Sequence, residues 1–123
     1  MKYENIARYK YRLIEPLSLE CGITGISARN DYVTIWDDGR LILQAGYAWD
    51  GPSGPTIDTA DSIRASAGHD ALYQLIALGV IPADSRILAD RDLRRWCIED
   101  GMPAIRADAW YHAVRAFGGL HIN

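Results

Sequence analysis

The sequence predicts an α+β fold in which a small antiparallel N-terminal sheet with a hairpin is followed by three C-terminal helices. Residues 1–50 contain short apolar segments separated by turn residues, which is typical of strands. From Thr56 onward the apolar residues instead recur every three or four positions, as they do in helices. The chain of 123 residues has the length of one domain. We therefore expect a single domain over 1–123, mainly β over 1–50 and mainly α over 56–119.

The strands of the first half are predicted from three apolar segments. Asp38-Gly39 is a favourable type I′ turn, so the second and third of these segments form a hairpin. A two-residue loop sets Asp37 opposite Arg40, Trp36 opposite Leu41 and Ile35 opposite Ile42. The three segments are Arg8 to Ile14, Tyr32 to Trp36 and Arg40 to Ala45.

The helices of the second half are bounded by glycine and proline. The first helix contains Ile63, Ala67, Ala71, Leu75 and Leu78 at helical spacing and ends at the glycine that follows. The second and third helices are likewise predicted from the residues that cap and end them. Asp84 or Ser85 caps the second helix, which ends at Gly101, and the third begins near Pro103 and ends at Gly118-Gly119.

The charge pattern argues against a nucleic-acid partner. The formal charge of −3 is spread along the chain, and no basic surface is evident. Arg91, Arg94 and Arg95 form the one basic cluster, and acidic residues surround it. We interpret this cluster as a solvated helix face, with a phosphate or partner contact as the alternative.

Two further observations bear on location. No stretch approaches the roughly 18 apolar residues that a membrane span requires, so no transmembrane segment is expected. The N-terminal residues lack the basic region and apolar run of a secretory signal, so synthesis in the cytoplasm is expected.

Cys21 and Cys97 form no CxxC pair, which favours two reduced thiols over a disulfide, with a catalytic cysteine as the alternative.

The pair His69-Asp70 lies in the middle of the first predicted helix, with Tyr73 one turn later. The loop from Asp50 to Pro55 joins the two halves of the chain and is rich in glycine and proline. Such a loop offers backbone carbonyls, and the helix offers an imidazole and a carboxylate. Together these groups suit a hard cation and a general base that activates water. Trp49, beside the loop, is a candidate for lining a pocket there.

Other interpretations of the same residues stay open. His69 is equally consistent with a hydrogen-bonded core residue, with Asp70 capping a turn or pairing with Arg64. A zinc site formed by His69 with His112 and His121 is a further alternative, although no HxxxH or HExxH spacing supports it.

The chain resembles a family of small uncharacterised proteins of tailed bacteriophages and prophages, a domain of unknown function. The shared features are a D-G-x-S-x-P loop, an H-D-x-x-Y helix and a later A-D pair. The resemblance implies a phage or prophage setting and a shared site, with the host cytoplasm and the virion as the locations. The matching residues are Gly46 to Pro55, Arg64 to Tyr73, Ala89-Asp90 and Tyr111 to Gly118.

The loop and the H-D-x-x-Y helix also resemble phospholipase A2 enzymes, especially the short viral-capsid type. This resemblance implies a Ca²⁺ cofactor and a histidine that activates water. The A-D match favours Asp90 over Asp92 as the carboxylate that orients the imidazole, and Asp92 is expected to pair with Arg95 or Arg91 on the surface. The implied ligands are Asp70 and the carbonyls of Gly51, Ser53 and Gly54, with Asp50 as an additional carboxylate and His69 as the base.

Two functions of different classes follow. The first is a calcium-dependent hydrolase that acts on a lipid ester, or an amide, of the bacterial envelope. The second is a noncatalytic virion or assembly component that contacts other phage structural proteins. The feature that separates them is whether His69, Asp70 and Asp90 converge on one cavity open to solvent, or close into a buried network.

Overall fold

The computed structural model describes residues 1–7, 10–50 and 60–121 and confirms the α+β fold class. The described N-terminal part holds short antiparallel strands, and three helices follow. One-turn 3₁₀ segments precede the second helix and follow the third, at Ala83–Ser85 and Gly118–His121. The elements are β1 Tyr3–Ala7, β2 Lys10–Leu13, β3 Leu17–Glu20, β4 Ala28–Arg29, β5 Val33–Ile35, β6 Arg40–Leu43, β7 Ala48–Asp50, α1 Ala60–Ala77, α2 Arg86–Glu99 and α3 Ala104–Phe117.

The described strands divide between two antiparallel sheets, with orders β1-β2-β7 and β3-β6-β5-β4. Gly46 has a φ of +92°, a left-handed conformation that favours glycine, and it turns the chain after β6. The Gly46 N–H donates to the Leu13 carbonyl, and the Leu13 N–H donates to the Tyr47 carbonyl. The chain therefore leaves β6 and joins β2, which places β7 beside α1.

The predicted hairpin between β5 and β6 is present, but its predicted register is wrong by one residue. Ile35 lies opposite Leu41, not Ile42, and Val33 lies opposite Leu43. The loop has three residues instead of two, because the Gly39 N–H closes a turn onto the Trp36 carbonyl and Gly39 then adopts a φ of +91°. This register places buried side chains across from each other, which the two-residue loop did not allow.

The same loop changes the predicted charge pair. Arg40 contacts Asp38 rather than Asp37, with 3.3 Å between the guanidinium Nε and the carboxylate. The Asp38 carboxylate also accepts the Arg40 N–H at 3.0 Å, which lowers the pKa of Asp38.

The boundaries of the three helices agree with the predicted ones, but the predicted cap of α2 does not form. Ser85 occupies the N-cap position without a side-chain capping hydrogen bond, because the preceding 3₁₀ turn already holds Ser85 in a helical conformation. Two arginines of the basic cluster on α2 are engaged with acidic partners: Arg94 pairs with Asp108 at 2.5 Å and Arg95 with Glu99 at 3.0 Å.

Helix α1 is buried along most of its length and lies against α2 and both β layers. One cluster of buried apolar side chains contains residues from the strands and from all three helices. Cys21 and Cys97 are free thiols within this core. Among the described residues, no helix has the length and apolar character needed to cross a bilayer.

Gly68 is a point of close packing between helices and sheet in this core. A Cβ atom at position 68 would lie 2.6 Å from Trp96 of α2 and 2.7 Å from Leu19 of β3. Trp96 is held from the other side, because its indole N–H donates to the Glu20 carbonyl at 3.1 Å. The small size of Gly68 therefore sets the distance between α1, α2 and β3.

We predict that Gly68→Ala lowers the free energy of unfolding by about 1–3 kcal/mol, because the clash outweighs the gain of about 1 kcal/mol in helix propensity. Urea denaturation measures the change. The control is Ala77→Gln, which adds a side chain at an exposed position of the same helix and should change stability by less than about 0.5 kcal/mol. Gly68→Ala of wild-type or higher stability would contradict the close packing.

Candidate functional site

His69 of α1 and Asp90 of α2 form a direct contact. The imidazole Nε2 lies 2.7 Å from Asp90 Oδ1. Tyr73 lies one helical turn after His69 on the same face of α1, and its hydroxyl donates to the same carboxylate oxygen. The rings of His69 and Tyr73 are also in contact, with centroids 4.1 Å apart. The spacing H-x-x-x-Y therefore brings both side chains to one buried carboxylate.

The second oxygen of Asp90 is held by arginines. Arg115 of α3 donates to Asp90 Oδ2 at 2.8 Å, and Arg86, one turn before Asp90, lies 3.7 Å from the same atom. Arg86 is itself fixed, because it donates to the Val114 carbonyl at 3.1 Å. Neither arginine was predicted as a partner of Asp90. The i,i+4 spacing from Arg86 to Asp90 was a usable signal, whereas nothing local connects Arg115 to Asp90.

The environment of Asp90 determines the tautomer of His69. Burial alone would raise the pKa of Asp90, but hydrogen bonds from His69, Tyr73 and Arg115 outweigh burial and lower this pKa. Asp90 is therefore an ionised carboxylate that only accepts hydrogen bonds. It follows that the proton of the neutral imidazole is on Nε2, so that Nδ1 carries the lone pair and has the character of a base.

Asp70 faces a different part of the molecule from His69, although the two residues are neighbours on α1. Asp70 lines a cavity of about 240 Å³ between α1 and the β2-β7 edge, together with Asp50 and Lys10. Trp49 lines the same cavity, as the sequence predicted, and its indole N–H donates to Ser66 at 3.0 Å. The remaining described lining residues are Ala48 and Gln74.

The alternative pairing of Asp70 with Arg64 is wrong. Arg64 instead binds Asp100 at 2.9 Å and Glu99 at 3.0 Å, at the end of α2. Among the described residues, none donates a hydrogen bond to Asp70. Burial, followed by the negative charge of Asp50, raises the pKa of Asp70 to about 8.

The pair of Asp50 and Asp70 has the donor chemistry of a hard-cation site. Two carboxylates share a small cavity, and their mutual repulsion would be relieved by a cation, which takes oxygen ligands. No three His, Cys, Asp or Glu side chains come together as a metal site within the described ranges. Calcium would therefore need backbone oxygens as well, and the predicted ones, at Gly51, Ser53 and Gly54, lie outside the described residues.

The predicted residues thus form two neighbouring groups that meet at α1 and do not converge on one cavity. One consists of His69, Tyr73 and Asp90, and the other contains Asp50 and Asp70. His69 is 7% exposed and Asp90 is fully buried, and neither is among the described residues that line the 240 Å³ cavity. The backbone of α1 connects the groups, because His69 and Asp70 are adjacent in sequence.

Asp92 plays a different part from Asp90. Its carboxylate accepts the Gly22 N–H at 2.9 Å and contacts Arg95 at 3.1 Å, so the expected partner is correct. The expectation that this pair lies on the surface is wrong, since Asp92 is buried and joins α2 to the loop after β3. Burial raises the pKa of Asp92 despite these contacts.

The zinc alternative gains no support from the described residues. His112 is exposed and lies against the Tyr111 ring, whereas His69 is in contact with Asp90. The side chain of His121 lies outside what the structure describes.

We predict that Asp90→Asn lowers the free energy of unfolding by about 3 kcal/mol at pH 7, because two arginines lose a buried counter-charge. The pKa of Asp90 is lowered in the folded state, so its contribution is present above the unfolded pKa of about 3.9 and is lost as pH falls through the folded value. Urea denaturation should therefore show a constant difference from pH 5 to 8 that shrinks below about pH 4.

The matched control is Asp108→Asn, which breaks the more exposed pair with Arg94 and should cost less than about 1 kcal/mol. Equal effects of the two substitutions would contradict the central role of Asp90.

We predict that Asp70→Asn stabilises the calcium-free protein at high pH. Because the folded-state pKa of Asp70 is raised to about 8, the folded protein retains a proton that the unfolded chain releases near pH 3.9. Wild-type stability should therefore fall as pH rises from about 4 to 8, and the variant avoids this loss. In urea denaturation with EDTA, the difference should be near zero at pH 4 and should rise to about 5 kcal/mol at pH 8.

The control is Asp31→Asn, at an exposed carboxylate, which should show no such pH dependence. An Asp70→Asn difference that does not change with pH would contradict the raised pKa.

The comparisons with known proteins add no relative. No protein-family model matches this chain, and neither a curated protein nor a solved structure matches it. The two groups of side chains on α1 therefore carry the functional interpretation by themselves.

Proposed function

We propose that this protein is a phospholipase A2-like, calcium-dependent hydrolase that acts on an ester, or an amide. The observation that supports this proposal most strongly is the hydrogen bonding of His69 and Tyr73 to one ionised, buried carboxylate, Asp90. Immediately beside it on α1, Asp70 shares a cavity with Asp50. His69 and Asp70 are successive residues that face different parts of the molecule, so the proposal requires that the attacking water reach Nδ1 of His69 from the cation side of α1.

His69 serves as the general base in this proposal. Asp90 holds the Nε2 proton and orients the ring, so Nδ1 accepts a proton from the attacking water. The positive charge that then develops on the imidazole is stabilised by the Asp90 carboxylate 2.7 Å away. Tyr73 and Arg115 restrain Asp90, so that this carboxylate keeps its orientation through the reaction.

Asp70 and Asp50 would hold the calcium ion, together with the carbonyls of Gly51, Ser53 and Gly54. Calcium held there would supply Lewis-acid polarisation of the scissile carbonyl. Asp70 contributes a second feature, because its raised pKa makes cation binding dependent on the release of a proton near neutral pH. Lys10, 3.9 Å from Asp50, lies at the same cavity and partly offsets its negative charge.

The motif resemblance supports the biological setting of the proposal. A phage or prophage protein with this chemistry would act on a lipid or other ester of the bacterial envelope during entry or release. It would be made in the host cytoplasm, with the virion as the other location.

A second function is favoured by one specific observation, the burial of the His69 network. Asp90 is fully buried, His69 nearly so, and Arg115 and Arg86 close the network from the α3 side. These contacts tie three helices together, which is what a rigid virion or assembly component requires. In that case the same residues are structural, and the protein binds other phage proteins without catalysis.

We predict calcium-dependent hydrolysis of mixed phospholipid micelles by the wild-type protein, with the activity abolished by EDTA. His69→Gln should lower kcat by at least about 100-fold, the usual contribution of a general base. Asp70→Asn should lose calcium binding in isothermal titration calorimetry while remaining folded. Asp31→Asn, at the exposed carboxylate used above, should retain both binding and hydrolysis.

A result without calcium binding and without hydrolysis would contradict the proposed hydrolase. A wild-type protein that neither binds calcium nor hydrolyses the micelles, with His69→Gln merely less stable, would assign the network to a structural role.

A further inference from the structure

A second cavity, of about 540 Å³, lies where three segments of the chain meet. These segments are the turn between β4 and β5, the connection from β6 to β7, and the end of α1. The volume is in the range of small-molecule sites. None of the residues assigned to the proposed hydrolase is among the described residues that line this cavity. It is therefore a separate candidate site.

The turn between β4 and β5 is held in place by the side chain of Asn30. Its amide oxygen accepts the N–H groups of Tyr32 at 3.0 Å and Val33 at 2.8 Å. The Asn30 N–H in turn donates to the Val33 carbonyl, and the Tyr32 carbonyl accepts the Gln44 N–H. Because the backbone engages the amide oxygen of Asn30, the NH₂ group of this side chain remains as a donor. This donor is fixed before any ligand binds, which lowers the entropic cost of binding.

Tyr32 presents an accessible aromatic ring on this fixed turn. The residue is 48% exposed, and its ring packs closely on Gly46, where an added Cβ would lie 3.3 Å from the ring. Leu78, which is 63% exposed, adds an apolar side chain to the same cavity from the end of α1. The cavity therefore offers apolar surface, part of it aromatic, against which the apolar face of a ligand can pack.

The polar groups of the lining suit a neutral ligand with hydroxyl groups. The exposed Gln74 carries an amide that both donates and accepts. Tyr47 is 3% exposed, and its hydroxyl has no acceptor among the described residues, so an acceptor that reached it would stabilise it. Asp31 is the one charged residue of the described lining, and its negative charge disfavours anions.

We propose that the 540 Å³ cavity is a binding site for a neutral saccharide. A sugar ring combines an apolar face of C–H groups with hydroxyl groups that both donate and accept hydrogen bonds. The apolar face packs against Tyr32 and Leu78, and the hydroxyl groups bond to the amides of Asn30 and Gln74. This inference goes beyond the proposed hydrolase and does not depend on it, since the two use different residues.

The first test is an NMR titration of the ¹⁵N-labelled wild-type protein with diacetylchitobiose, maltose and cellobiose. At least one of these disaccharides should cause saturable shifts of the backbone amides of residues 30–32, 46–48 and 74, which line the cavity. No saturable shift at these residues with any of the three would overturn the proposal. Saturable shifts there with choline chloride instead would indicate a site for an organic cation and would also overturn it.

Variants then test the two kinds of contact separately. Tyr32→Ala should bind the disaccharide about fivefold more weakly, whereas Tyr32→Phe should keep the wild-type affinity, because the ring makes the contact. Asn30→Asp keeps the oxygen that holds the turn but loses the NH₂ donor, and it should bind about fivefold more weakly.

The matched control is Asn5→Asp, at an exposed asparagine of β1, which should bind as the wild type does. The NMR spectrum of each variant shows whether the fold is retained. Wild-type affinity in both Tyr32→Ala and Asn30→Asp would overturn the assignment of the saccharide to this cavity.

Discussion

The buried carboxylate of Asp90 is the interaction on which the helical half depends. It accepts hydrogen bonds from His69 and Tyr73 on α1 and from Arg115 on α3, while being part of α2 itself. A charge in this position is tolerated only because its hydrogen bonds and the arginines offset the cost of desolvation. The same contacts fix the His69 tautomer, so the interaction that joins the three helices also prepares a base.

The sheet half contributes the other side of the candidate site. The left-handed turn at Gly46 directs β7 away from β6 and onto β2, which brings Asp50, Trp49 and Tyr47 beside α1. Asp70 meets these residues, and its raised pKa records both its burial and the nearby charge of Asp50. Burial of Asp70, with a smaller contribution from the charge of Asp50, lowers the stability of the free protein at high pH, and sites that bind cations characteristically carry such a cost.

Two adjacent residues of α1 therefore meet opposite electrostatic environments. His69 is bonded to the Asp90 carboxylate, whose ionised form is stabilised. The ionised form of Asp70, in contrast, is disfavoured by burial and by the charge of Asp50. A helix separates successive side chains by about 100°, so one residue can reach α2 while the next faces β7. The motif H-D-x-x-Y is compatible with catalysis and with a structural joint. His69 and Asp90 close into a buried network apart from the cavity of Asp70, as expected of a joint, whereas the two carboxylates of Asp50 and Asp70 in one cavity are as expected of a cation site.

The sequence by itself determined the α+β class, the three helices, the strands β2, β5 and β6, and the pairing of His69 and Tyr73 on one helix face, because these follow from local periodicity and turn residues. The strands β1, β3, β4 and β7, and the division of the described strands into two sheets, were not predicted. It also placed Trp49 beside the pocket. Tertiary structure alone decided the one-residue shift in the hairpin, the burial of Asp92, the partners of Arg64 and the approach of Arg115 to Asp90. These features join residues far apart in the chain, and their geometry is set by packing between elements, which no local pattern encodes.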